Sequence, residues 1–433
     1  MMEAKPDEAL LNSIEGFLRE VIAGLADEPT SRRGRPRVLP ALALWAGMLV
    51  CVARGFSSQL ELWRLLTHTG LWDFPRFTLK DDAVYQRLKH AGSQTFHQIF
   101  DEVTRLLRLR QRLKPGATEL LAAFASGVYA LDEMTLDGVK KCLPSLRQHI
   151  GTVLAGKVTA LFDVRAQLWH HVEFQEAAAQ NEKVAARGML THVPPGSLIL
   201  ADLGYFAYAW FDDLTRAGHF WISRLRAKAS YTVVCTLYQG QDVLDAIVWL
   251  GAYRADRAAN AVRLVSFSRN GKTWAYLTNV LDPCLLSIRQ ISQLYARRWD
   301  IEMMFNLLKT HLHLHLLWSS HLSVVMHQVF AAFTIAQIIL GLRADIAQQA
   351  QADVFEVSLD LLIRWLPRLA QEGLDPVQAL VERGRDMLII RPSSRLVIQA
   401  PDPPLHDYQS LPSHIVLTRQ PRYAGKRHKN SRS

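Results

Sequence analysis

The chain has 433 residues, 49% of them apolar, with 50 Lys and Arg against 40 Asp and Glu for a formal charge of +10. That length allows a sizeable core and two or three domains, and 11 Trp are more than a disordered chain carries. The basic excess favours a polyanionic partner, although many unrelated enzymes share it. Cys51, Cys142, Cys235 and Cys284 are far apart and no CxxC occurs, which excludes a zinc ribbon or thioredoxin-like motif and argues against a disulfide framework.

The polar opening at 1–7 does not read as a secretory signal. Helical spacing predicts helices over 9–26, 57–66, 81–90 and 95–112. Between the first two lies the basic stretch Arg32, Arg33, Gly34, Arg35, Pro36, Arg37. The apolar run at 38–53 contains Pro40 and is too short to span a bilayer. Lys114, Pro115 and Gly116 form a strong breaker and a first domain boundary.

Beyond it the period changes. Strands are predicted at 127–132, 157–164, 168–174, 197–201 and 219–223, with helices at 180–190 and 207–217. This is a mixed sheet with helices packed on it. The stretch 231–279 reads as all-β, with Asn270 and Gly271 as a two-residue hairpin turn, and looks inserted because helix resumes at 287 and persists to about 314. Helices follow at 322–347, 357–371 and 376–385. The run 324–342 carries His327, Gln328, Thr334 and Gln337, which suit a helix buried in protein better than one in lipid. The basic tail 419–433 is expected to be disordered. The chain is expected to be soluble and cytoplasmic.

Asp132 and Asp202 each close an apolar strand, where α/β folds open a crevice. Either residue alone is as well read as a loop or helix cap. The predicted helix from 287 carries Tyr295, Arg298, Glu302 and Lys309. At about 100° per residue these four fall within an arc of roughly 60° on one face, if the helix is unbroken. An exposed stripe with an i,i+4 ion pair between Arg298 and Glu302 gives the same pattern.

The order and spacing Tyr295-x2-Arg298-x3-Glu302-x6-Lys309 resemble the YREK signature of bacterial insertion-sequence transposases with a DDE triad. The residues from Ile199 to Tyr205 resemble that class's second-Asp motif, and those from Leu131 to Thr135 its first. Glu133 and Met134 depart from the Thr or Ser that usually follows the first Asp closely. The long gap between Asp202 and Glu302 agrees with the class's β-stranded insertion. The resemblance covers roughly residues 125–315.

It implies a ribonuclease-H-like α/β fold: a mixed sheet with helices on both faces, an all-β insertion, and helical N- and C-terminal regions. The implied layout is a DNA-binding helical region over 1–115, a catalytic domain over 116–320 interrupted at about 229–285, a helical region over 321–418, and the basic tail. The implied activity is cleavage at the ends of a mobile element and strand transfer. Metal-dependent cleavage needs a positioned nucleophilic oxygen and charge relief on the leaving one, which two Mg2+ ions supply. Mn2+ is expected to substitute. Such hard cations take oxygen ligands, so Asp132, Asp202 and Glu302 are the candidate metal-binding and catalytic residues, Asp132 bridging both ions. Water attack then exposes a 3′-hydroxyl; its later attack on target DNA is implied by the resemblance alone.

Supporting positions are also expected. Arg298 and Lys309 would hold phosphates near the scissile bond, and Tyr295 would add a hydrogen bond. Arg224 resembles a phosphate-contacting Arg of cut-and-paste relatives. Trp274 resembles an aromatic that stacks on a flipped base; a core strand residue is an equal reading. Arg33 and Arg35 resemble a minor-groove hook and equally fit a solvated linker. His311, His313 and His315 look like a metal tract, but no Cys or acidic partner follows at zinc-like spacing. The expected partners are double-stranded DNA, at terminal inverted repeats and at the target, and a second copy of the chain on DNA. No membrane is expected. Two other readings share these residues: a ribonuclease-H-like nuclease without strand transfer, and a domesticated inactive transposase acting as a DNA-binding regulator.

Overall fold

The computed structural model describes residues 12–26, 38–92, 94–113, 121–136, 156–175, 182–251, 256–314, 316–393, 395 and 397–423. Arg33, Arg35, His315, the breaker at 114–116 and residues 424–433 of the tail lie outside the described residues; the disorder expected from 419 does not hold at 419–423, where Arg419 donates to Ala258 O and Leu250 O and Arg422 bridges to Arg257.

Helix α1 (Ile14–Ala23) starts where the Ser13 side chain accepts the Gly16 N–H, and buries Phe17, Leu18 and Val21. Helix α2 (Ala41–Ala53) is apolar all round and buried almost throughout, as a helix surrounded by protein must be. Helix α3 (Gln59–Arg64) is capped by Ser58 and widens into a π turn at Leu65–Thr69. Helices α4 (Asp81–His90) and α5 (Gln94–Leu113) follow.

Among the described residues nine strands form one sheet. They are β1 (Val128–Thr135), β2 (Lys157–Asp163), β3 (Leu168–Gln175), β4 (Leu198–Ala201), β5 (Phe220–Arg224), β6 (Tyr231–Gly240), β7 (Val243–Leu250), β8 (Val262–Arg269) and β9 (Lys272–Thr278). Their order is β3-β2-β1-β4-β5-β9-β8-β7-β6. Strands β1, β4 and β5 are parallel to one another, and every other neighbouring pair is antiparallel. Asn270 and Gly271, at φ 50° and 71°, make the tight turn between β8 and β9.

Side chains alternate between two cores, as strand geometry requires. Val128 and Ala130 face one; Tyr129 and Leu131 face the other. Helices α6 (Glu182–Met189) and α7 (Tyr208–Arg216) pack on the Tyr129 side. Helices α8 (Ile288–Arg297), α9 (Trp299–Asn306) and α10 (Leu322–Gln349) cover the Val128 side. Helices α11 (Leu359–Gln371) and α12 (Pro376–Arg383) pack on α10, as do α1, α2, α4 and α5.

By length and composition α10 is apolar enough to cross a membrane, yet 94% of its most apolar window is buried inside the protein. Gln328, Thr334 and Gln337 have protein partners there, whereas both ring nitrogens of buried His327 have no hydrogen-bond partner among the described residues. The Gln337 carbonyl accepts the Trp169 N–H at 2.9 Å, and its amide donates to Trp169 O at 2.9 Å and Thr104 Oγ1 at 2.8 Å. Gln337 thereby joins α10 to β3 and α5, satisfying backbone groups that would otherwise be buried unpaired.

Two further expectations are corrected. Asp132 does not end β1: the antiparallel register with β2 continues from Asp132↔Ala160 to Thr135↔Lys157, and only the parallel pairing with β4 stops, at Leu131↔Ala201. The all-β block expected over 231–279 forms β6 to β9, which extend the same sheet through the pairing of β9 with β5. The helix expected over 287–314 is not continuous. It tightens at Arg298, whose N–H bonds Tyr295 O, and widens into a π turn at Leu307–His311, closed by the Leu312 N–H on Leu307 O.

Candidate active site

Strands β1 and β4 run side by side, and their last pair is Leu131↔Ala201. Asp132 and Asp202 are the next residue on each, so two carboxylates stand adjacent where β4 gives out. Asp132 is half-buried on the sheet face covered by α9, which packs directly on β1. The same helix carries Glu302.

Each carboxylate is held locally. Asp132 Oδ1 accepts the Glu133 N–H at 2.8 Å. Asp202 caps the short turn Leu203–Tyr205 by accepting the Gly204 N–H at 2.8 Å; the capping role open to it from the sequence is realised. Glu302 is ion-paired with Arg298 one helical turn back. Burial pushes the Asp132 carboxyl up to about 6; the Glu133 N–H opposes the shift, Asp202 and Glu302 add to it, and Arg298 opposes it. Asp132 therefore feels both of the other acids.

The Arg298 side chain is only 12% exposed. Burial alone would lower its pKa, but the bond to Glu302 and the nearby Tyr295 and Asp132 raise it. Its guanidinium lies 5.8 Å from the Tyr295 ring centroid and 5.8 Å from that of Trp299. Its Nε is buried without a hydrogen-bond partner among the described residues, a donor available to a ligand. Burial raises the Tyr295 pKa, opposed by Arg298 and Arg224 and reinforced by Asp202. Arg224 is exposed at the end of β5. The structure thus gathers Asp132, Asp202, Glu302, Arg298, Tyr295 and Arg224 into one electrostatic neighbourhood.

Other expected residues lie differently. Lys309 is half-buried in the π turn, so extrapolation along a regular helix from Tyr295 does not place it. Trp274 is half-buried on β9, opposite Phe267, with rings 5.5 Å apart and inclined by 22°. His311 Nδ1 lies 3.2 Å from an Asp360 carboxylate oxygen.

The departure at Glu133 has a structural account. Alternation turns it to the opposite face from Asp132, where it pairs at 2.9 Å with Lys157, itself 1% exposed. Two large apolar groups escaped notice in the sequence: Trp299 at 53% and Met303 at 50% exposure flank Glu302 on α9. Their signal was available, since a Trp on the open side of a site helix is costly to leave in water unless something covers it.

Residues 147–337 match the model of the transposase DDE domain family. The matched stretch is under half of the chain; it includes Asp202, Arg224, Trp274, Tyr295, Arg298, Glu302 and Lys309, and begins after Asp132. A Sinorhizobium fredii protein named "Putative transposase y4zB" is 24% identical over 202 residues, covering 45% of this chain and 55% of that protein. The chain thus spans about half the length of this curated relative.

Proposed function

We propose that the protein is a DDE transposase of the YREK class, with a ribonuclease-H-like core that cuts DNA at the ends of its own mobile element and transfers strands, acting as a dimer on DNA in a bacterial cytoplasm. What carries this reading is that Asp132 and Asp202 follow the last β1–β4 pair and Asp132 feels the Glu302 charge, within a chain that matches a transposase DDE domain over 147–337.

The donor set fits a hard divalent cation. It consists of carboxylates only; burial first, and the charges of Asp202 and Glu302 after it, raise the Asp132 pKa, and a bound cation would offset both. Among the described residues these three are not a set whose ligand atoms all lie within 4.8 Å, and Glu302 is engaged by Arg298. Loading the site therefore asks Glu302 to release Arg298. Two Mg2+ ions, or Mn2+, held by the three acids would position a water and neutralise the leaving oxygen.

The chain's other groups have distinct tasks. Arg298, freed from Glu302 and with its buried Nε unpartnered, is placed to take a phosphate oxygen. Arg224 offers a second cation at the rim, and Tyr295 a hydroxyl between the two. Trp274 and Lys309 are assigned the DNA strands flanking the cut, and Arg33 and Arg35 a minor-groove contact.

Asp132→Asn, Asp202→Asn and Glu302→Gln are each expected to lower Mg2+-dependent cleavage of element ends by at least about 10³-fold while binding to those ends persists. Cleavage kept by any one variant removes that residue from the triad. Joining of a cut 3′-end to a second duplex separates a transposase from a plain nuclease.

A further inference from the structure

We propose that His171, His192 and Glu173 form a second metal site, for a borderline divalent transition ion of the Zn2+ class, apart from the three carboxylates and independent of the transposase reading. His171 and Glu173 stand two apart on β3 and so share a face. His171 registers with Leu161, which registers with Leu131, so this pair lies on the sheet face opposite Asp132. His192 comes from the turn Leu190–His192, just ahead of β4. That turn is tied to β3 by His170, the extra residue of a β-bulge, whose Nε2 lies 2.7 Å from His192 O.

Among the described residues these three alone form a set whose ligand atoms all lie within 4.8 Å of one another. His171 Nε2 and His192 Nε2 approach the same Glu173 oxygen at 3.5 and 3.6 Å. Those separations are too long for good hydrogen bonds. Two ligands each ~2.0–2.1 Å from a tetrahedral ion lie roughly 3.3–3.4 Å apart, so the observed spacing is close to that of a shared ion. His171 Nε2 is in addition buried without a hydrogen-bond partner, facing this gap.

The imidazole rings stack at 3.5 Å with 15° between their planes. To aim both nitrogens at one ion the rings must splay, and His192, with its side chain 42% exposed, is free to turn. Burial first, then the neighbouring His192, His170 and His97, push the His171 pKa down to about 4. Two imidazoles and one carboxylate disfavour Mg2+ and suit Zn2+, leaving a fourth position for water. The ion would clamp edge strand β3 to the segment that leads into β4 and Asp202.

The test titrates the full chain with Zn2+ in magnesium-free buffer by calorimetry, and with Co2+ by visible absorption. One equivalent is expected to bind, at least tenfold more weakly in His192→Asn and in Glu173→Gln, with circular dichroism unchanged and with binding intact in Asp202→Asn. No binding by the wild type, undiminished binding in His192→Asn, or binding lost in Asp202→Asn overturns the proposal.

Discussion

Asp132 is where local burial and function pull against each other. Its carboxyl is raised to about 6, against an ordinary value near 4. The folded chain thus holds this proton more tightly than the unfolded chain. The resulting stability is fully present below about pH 4 and is lost as pH rises through about 6. At pH 8 the buried negative charge is a burden on the metal-free protein. Asp132→Asn keeps an oxygen for the Glu133 N–H and drops the charge. It is expected to melt a few degrees above the wild type at pH 8 without metal, with the difference vanishing near pH 4. Equal melting at both pH values would show that Asp132 is better solvated than its surroundings indicate. The same residue explains why a departure from a motif need not disturb a site: Glu133 is one position on, but strand alternation sends it to Lys157 on the far face.

The pairing of α5 with α10 decides whether the helical layer holds the sheet. Gly341 sits where a Cβ would come within 2.2 Å of Leu107 Cδ2 and 3.1 Å of its Cγ. Ala normally improves a helix interior by roughly 1 kcal/mol over Gly. Here Leu107 is 1% exposed and cannot swing into solvent, so overpacking of about 1–3 kcal/mol wins. Gly341→Ala is expected to lower the denaturation midpoint, and Leu107→Ala in the same chain to cancel part of that added loss. A midpoint that rises in the single variant would mean the two helices part at little cost. The break between α8 and α9 belongs to this scale as well. The tight turn at Arg298 and the wide one at Leu307–His311 re-phase the helix, keeping Glu302 over β1 and setting Lys309 off the regular face.

Across the whole molecule the closing segment binds the layers together. Arg395 pairs with buried Asp300, Arg419 donates to Ala258 O and Leu250 O, and the Tyr423 hydroxyl donates to Asp212 Oδ2. The chain after α12 therefore returns to the far half of the sheet. Net charge acts at the same scale. With +10 overall, DNA affinity is expected to fall steeply with salt, by a slope of about −0.9 per phosphate contacted. Arg224→Ala is expected to reduce that slope by about one while weakening all sequences alike. An unchanged slope would place Arg224 away from the phosphates.

Most elements were legible before any coordinates. Asp81–His90 was read at its observed bounds, and the Asn270–Gly271 turn was found from two residues, because periodicity, capping and turn chemistry are written in neighbouring positions. The three acidic positions stand out less from local pattern, which fits caps and an exposed helix stripe, than from the order and spacing of the motifs around them. What neighbouring residues do not encode is pairing at a distance. That β9 joins β5, that Asp132 lies mid-strand beside a shorter neighbour, and that His171 meets His192 all depend on contacts between segments remote in sequence. The sequence by itself determined which segments become helix or strand and which acids are available; only the tertiary structure decided which of them meet, because register and face are set by packing of the whole sheet.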